Sequence, residues 1–207
     1  MFKNIVFDIG NVILNFDVEQ VLSKYTEDKK IRKFIKDNII YSPEWLLFSL
    51  IDTGYVKTGD AIKIVCDRTN HVCDDIVNDF WTTYNNYAFV DKKMIDLILN
   101  LRSNNYRVYL LSNTNSYTFD YIKNNSNLFD IVNGYVLSYE VHMVKPYKGI
   151  YNELLNKYHL QPSETLFVDD NEKNVQTAIS LSMNAIKVEP DNYDDVFRKL
   201  LENNIRL

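Results

Sequence analysis

Cysteine is scarce. The chain has two, Cys66 and Cys73, and they do not form a short metal-type pair. A zinc site is therefore not expected, and two reduced thiols packed in or beside a helix suit a cytosolic, cytoplasmic protein. Long apolar runs are missing too. None approaches the roughly 20 residues that a membrane helix needs. The N-terminus has no basic region followed by an apolar stretch, so no signal peptide is expected. Positive charge is in deficit: the net charge of −5 argues against general nucleic-acid binding, which clustered Lys and Arg carry. One basic cluster, Lys29, Lys30, Arg32, Lys33 and Lys36, reads as the solvated face of a helix. Internal repeats and low-complexity tracts are absent.

What remains is a chain of 207 residues, 46% apolar and 14% aromatic, able to bury a sizeable core. Two textures divide it. Residues 4–8 read as a strand. From 18 to about 90 the pattern is helical: Val18, Val21, Leu22 and Tyr25 share one face, as do Ile31, Phe34, Ile35 and Ile39. Ser42 and Pro43 open a further helix that Gly54 closes, and more helix is expected over 60–68 and 74–87.

After residue 91 helix and strand alternate, with strands expected at 107–111, 134–138, 165–168 and 185–188. Strands this short and apolar suit a parallel sheet covered by helices on both faces. The expected fold is therefore α/β: a Rossmann-like parallel core over 1–16 and 91–207, carrying an inserted helical cap over 17–90.

In such sheets ligands sit at the carboxyl ends of the strands. There the polar residues converge. The first strand ends in Asp8, "YLL" ends in Ser112-Asn113, and "TLFV" ends in Asp169-Asp170, while Lys145 follows the third strand in "MVKP". Each alone is an ordinary cap, loop or surface residue. Together they bring carboxylates, a hydroxyl and an ammonium to one sheet edge, a set suited to a phosphoryl group and a hard divalent cation.

These stretches resemble the four motifs of the haloacid dehalogenase superfamily of aspartate-nucleophile phosphatases. "VFDIGNV" is similar to motif I, "LLSNTN" to motif II, "MVKP…IY" to motif III and "LFVDDNEKNV" to motif IV. The insertion between motifs I and II resembles the helical cap of subclass I. The similar branch includes bacterial phosphatases of α-D-glucose 1-phosphate.

The resemblance implies an Mg²⁺-dependent phosphatase of small phosphate esters, sugar phosphates among them, acting through an aspartyl-phosphate. Asp8 would be the nucleophile. Asp8, the Gly10 carbonyl and Asp170 would hold Mg²⁺. Asp169 would either share that role or orient Lys145, and Asn174 would reach the same site. Ser112 and the Asn113 backbone N–H would hold phosphoryl oxygens, with Lys145 neutralising the other side. No nucleic-acid or membrane partner is implied, and a monomer or weak dimer is expected.

Two departures stand out. Gly10 occupies the slot where most phosphatases of the superfamily carry a second Asp as general acid and base. Either the leaving group is good, as an anomeric oxygen is, or another acid such as Asp17 substitutes, or the enzyme is slow. His142 stands where the branch has a small residue, and reads as loop packing. His71 and His159 receive no function. Trp45 and Phe48, in "SPEWLLFSLIDTGY", either face the substrate or pack a core.

Two rival readings follow. A metal-independent 2-haloacid dehalogenase also lacks the second acid of motif I, but adjacent Asp169 and Asp170 beside Asp8 would repel without a cation. A catalytically silent binding module rests on Gly10 alone.

Overall fold

The computed structural model describes residues 2–40 and 50–207. Seven strands are present among them: β1 (Asn4–Phe7), β2 (Leu14–Asn15), β3 (Phe89–Val90), β4 (Arg107–Ser112), β5 (Gly134–Leu137), β6 (Thr165–Asp169) and β7 (Asn184–Lys187). Five form one sheet in the order β5-β4-β1-β6-β7. Every pairing in it is parallel, with Asn4 of β1 opposite both Arg107 of β4 and Thr165 of β6. The first strand thus lies at the centre of the sheet, as its apolar run requires.

The strands lack a polar face because both faces are covered. Ile5, Phe7, Val108, Leu110, Leu166 and Val168 pack into one cluster with Met94, Leu97, Ile98 and Leu101 of the helix Lys92–Ser103. The alternate residues Val6, Tyr109, Leu111, Val136 and Phe167 pack on the other face against Ile150, Tyr151 and Leu154 of the helix Lys148–Lys157. Period-2 alternation here sorts two apolar sets to opposite sides of the sheet.

The segment between β2 and β3 is helical and has its own apolar cluster. Val21, Leu22, Ile35, Ile39, Val65, Phe80 and Trp81 are buried together in it. Its helices include Val18–Tyr25, Lys29–Ile35, Thr58–Arg68 and Asp74–Thr83. The basic residues of 29–36 line its outer side, with Lys29, Lys30 and Lys33 exposed. Residues 50–52 are helical, and Gly54, at φ +72°, follows their end. The expected helix start at Ser42-Pro43, and both Trp45 and Phe48, lie outside the described residues.

One element was not expected. β2 and β3 pair antiparallel, Leu14 with Val90 and Asn15 with Phe89, where the chain enters and leaves the helical segment. Strands of two residues carry no readable period, so only the pairing reveals them.

Candidate active site

The carboxyl edge of the sheet collects the residues that the sequence marks. Asp8 follows β1, and its N–H donates to Val168 O at 2.9 Å, so its position is set by the sheet register. Its Oδ1 accepts from Ile9 N–H at 2.7 Å and from Lys145 Nζ at 2.8 Å. Lys145 Nζ also donates to Asp169 Oδ2 at 2.7 Å. Both of these side chains are buried, Lys145 at 3% exposure and Asp169 at 0%.

A second layer of amides fixes the first. Asn174 Nδ2 donates to both oxygens of Asp169 at 3.0 Å, and Asn171 N–H donates to Oδ1 at 2.8 Å. Tyr151 O–H in turn donates to Asn174 O at 3.0 Å, tying the helix Lys148–Lys157 to the helix Glu172–Ser180. Asn113 grips the backbone of Lys145 from two sides. Its Nδ2 donates to Lys145 O at 2.9 Å, and its Oδ1 accepts from Lys145 N–H at 2.7 Å. Asn11 Nδ2 donates to Asp170 Oδ2 at 3.2 Å. The roles of the Asn11 and Asn113 side chains escape sequence reading, because their partners lie far away along the chain.

Asp8, Asp169 and Asp170 each offer a carboxylate oxygen within 4.8 Å of the others. Burial pushes the Asp8 carboxyl up to about 7; Lys145 pulls it down, and Asp169 and Asp170 raise it further. Burial also raises Asp170, and the Asn11 amide opposes this. Burial alone would lower Lys145, yet Asp169 and Asp8 raise it overall, so it stays an ammonium. One ammonium thus faces three carboxylates. The surplus negative charge and the hard oxygen donors fit a divalent cation such as Mg²⁺.

Beside this cluster opens a cavity of about 330 Å³, lined on the sheet side by Gly10, Ser112 and Asn115 and on the helical side by Asp52, Tyr84 and Asn85. Ser112 is buried at the end of β4. At Gly10 a Cβ would meet nothing within 4 Å, and the backbone there is not left-handed. Neither space nor conformation demands glycine. Asp17, the nearest acid in sequence, is engaged elsewhere: it caps the helix Val18–Tyr25 by accepting from Gln20 N–H at 2.7 Å. His142 contacts the helical segment: its Nδ1 is 2.7 Å from Thr53 O, and its ring stacks on Tyr55. The imidazole thus joins the helical segment to the loop before Lys145.

Comparison with known proteins agrees with this architecture. Residues 2–181 match the family described as haloacid dehalogenase-like hydrolase. The chain is 30% identical over 204 residues to a D-ribitol-5-phosphate phosphatase of Bacteroides thetaiotaomicron, covering 91% of this chain and 93% of that one. A HAD family enzyme of the same organism, solved with magnesium and inorganic phosphate, superposes with a TM-score of 0.76 at 25% identity, over 96% of this chain and 100% of the other. A predicted HAD-like hydrolase from Porphyromonas gingivalis shares the fold, with a TM-score of 0.78 at 24% identity and full coverage of both chains. With a parallel sheet of the matching kind and a family match over most of its length, the chain belongs to the haloacid dehalogenase-like hydrolases.

Proposed function

We propose that the protein is an Mg²⁺-dependent phosphatase of small sugar or sugar-alcohol phosphates, acting through an aspartyl-phosphate on Asp8. The observation that carries this reading is the Asp8–Lys145–Asp169 ion-pair network, with Asp170 beside it, next to a small cavity lined by Gly10, Asn11 and Ser112. Residues 1–16 and 91–207 form the catalytic core in this reading, and 17–90 the cap.

Asp8, the Gly10 carbonyl and Asp170 would hold the cation, which when bound supplies charge neutralisation for the phosphoryl oxygens. Asp169 has a different task. Its two oxygens are saturated by Lys145, Asn174 and Asn171, so it positions the ammonium. The Asp8 carboxylate attacks phosphorus in line. Lys145 holds that carboxylate and balances negative charge on the phosphoryl group. Ser112 and the Asn113 N–H bind phosphoryl oxygens at the end of β4. Water then cleaves the aspartyl-phosphate, releasing inorganic phosphate and regenerating the Asp8 carboxylate.

The cavity volume is at the small end for ligand sites, which favours metabolites over macromolecular esters. Two ester types compete. Glucose 1-phosphate suits a site without an acid at Gly10, because an anomeric oxygen leaves more readily. A polyol phosphate is suggested by the ribitol 5-phosphate named for the 30%-identical relative. The buried carboxylate cluster speaks against the metal-independent dehalogenase reading.

The test is a panel of phosphorylated metabolites assayed in millimolar Mg²⁺ and again in excess chelator. Hydrolysis of sugar and polyol phosphates that vanishes with chelator is expected. Full activity in chelator, or a phosphoprotein turned over far better than every metabolite, would overturn the reading.

A further inference from the structure

Without an acid at Gly10, the leaving oxygen needs another proton source. Among the described residues one carboxylate lines the cavity, that of Asp52. The turn carrying it is anchored to the sheet side at three successive residues. Thr53 O meets His142 Nδ1 at 2.7 Å. Gly54 presses on Tyr139 so closely that a Cβ there would lie 2.6 Å from the Tyr139 carbonyl oxygen. The Tyr55 ring stacks on His142 at 5.0 Å between centroids. Such anchoring fixes a side chain rather than leaving it on a free loop.

Asp52 also touches the phosphate end. Its Oδ1 accepts from Asn115 Nδ2 at 3.5 Å, a long bond, and Asn115 lies three residues beyond Ser112. Burial pushes the Asp52 carboxyl up to about 7, and the Asn115 amide opposes this only in part. A large share of the side chain therefore carries its proton near neutrality. Tyr84, the titratable side chain coupled to it across the cavity, is held neutral by burial. On the same wall Asn85 Nδ2 is buried with no partner among the described residues, although Asn85 Oδ1 accepts from Thr118 Oγ1 at 3.3 Å.

We infer that Asp52 is the catalytic proton donor to the leaving oxygen, taking the place of the acid missing at Gly10 in the phosphatase reaction proposed above. As the P–O bond of the ester breaks, its electron pair passes to the leaving oxygen, which takes the Asp52 proton and departs as the alcohol. Asp52 is then a carboxylate. It removes a proton from water as the water oxygen bonds to phosphorus and the Asp8 O–P bond breaks. Inorganic phosphate is released, Asp8 is regenerated, and Asp52 is reloaded.

The test compares leaving groups. Wild type, Asp52→Asn and Asp52→Glu are assayed with Mg²⁺ on ribitol 5-phosphate, phenyl phosphate and p-nitrophenyl phosphate. Loss of a general acid costs about 10²–10⁴-fold where the leaving group needs a proton. Asp52→Asn should therefore lose on the order of 10²-fold or more in kcat/KM on the alkyl ester. On p-nitrophenyl phosphate, whose leaving group is weakly basic, the loss should be at most severalfold. Asp52→Glu should recover part of the alkyl-ester activity. The alkaline limb of the wild-type pH profile should vanish in Asp52→Asn. Equal losses on all esters would show a structural role and overturn the assignment, as would no loss on any. If the wild type hydrolyses none of them in Mg²⁺, the phosphatase reading itself falls and takes this assignment with it.

Discussion

The two ends of the cavity are built differently. At the sheet end every charged group has a partner: Lys145 bridges Asp8 and Asp169, and amides or N–H groups complete Asp169 and Asp170. At the helical end satisfaction is partial. Asp52 makes a single long bond to Asn115, and Asn85 keeps a buried amide unpaired among the described residues. A saturated network is rigid and costly to disturb, and it suits chemistry common to all phosphate esters. A partly satisfied one is completed by whatever enters, so it suits selection among alcohols. In the reaction proposed above, rigidity at the sheet end would fix the chemistry, and openness at the helical end would leave the substrate adjustable.

The contrast can be broken most severely at Asp8. Asp8→Asn should lower turnover of every phosphate ester by roughly 10⁴-fold or more, as removal of a nucleophile typically does. Steady-state assay of the purified variant on p-nitrophenyl phosphate checks this; substantial residual rate would remove Asp8 from the nucleophile role.

Lys145 comes next. Lys145→Ala leaves Asp8 and Asp169 buried without their cation, and breaking such a pair costs about 3–5 kcal/mol. The melting temperature in chelator should fall by many degrees, and millimolar Mg²⁺ should restore part of it. A variant as stable as wild type in chelator would show that the ammonium does not offset the carboxylates.

Gly10→Asp sharpens the comparison, because it adds a polar group where the cavity meets the saturated end. The open space at Gly10 admits the side chain. In an Asp52→Asn background it should recover about tenfold in kcat/KM on alkyl esters, roughly 1.4 kcal/mol of barrier. Recovery on aryl esters of the same size would instead indicate a general repair of the site.

The smallest effect concerns stability. Asp52 titrates higher in the folded chain than in the unfolded one, so the folded state holds the extra proton between about pH 4 and about 7. Stability from this group is fully present below pH 4 and is lost as pH rises through 7. Asp52→Asn should therefore melt higher than wild type at pH 8 and match it near pH 4. Scanning calorimetry at the two pH values measures it, and an equal difference at both would contradict the buried-carboxyl account.

Much of the core was legible because strand ends mark their own position. Asp8, Ser112 and Asp169 each follow an apolar run, and the parallel sheet brings those ends together. The helices between β2 and β3 were legible from their periodicity, although the one expected over 74–87 is α-helical only for Asp74–Thr83 and tightens to a 3-10 turn over Tyr84–Tyr87. The side-chain contacts that complete the site were not. The Asn113 side chain grips a backbone segment 32 residues away, and no local pattern announces that. The proton-donor question shows the same limit. Distance along the chain favours Asp17, which the fold spends on a helix N-cap, whereas the cavity contains Asp52, carried there by the anchoring of Thr53, Gly54 and Tyr55. A signal was present in "LIDTGY": an acid at the end of an apolar run, just before a glycine turn.

The central place of β1 has a consequence for synthesis. The strand leading to Asp8 is made first, yet its neighbours β4 and β6 begin at Arg107 and Thr165. On the ribosome, the helical segment can gather its mostly local contacts while β1 still waits for both flanks. A nascent chain halted before Thr165 leaves Ile5, Val6 and Phe7 with one flank of the sheet open, in a strand that ends fully buried. Asp8 is thus translated well before β4 and β6 and is seated only once both flank its strand, so the carboxylate cluster assembles late.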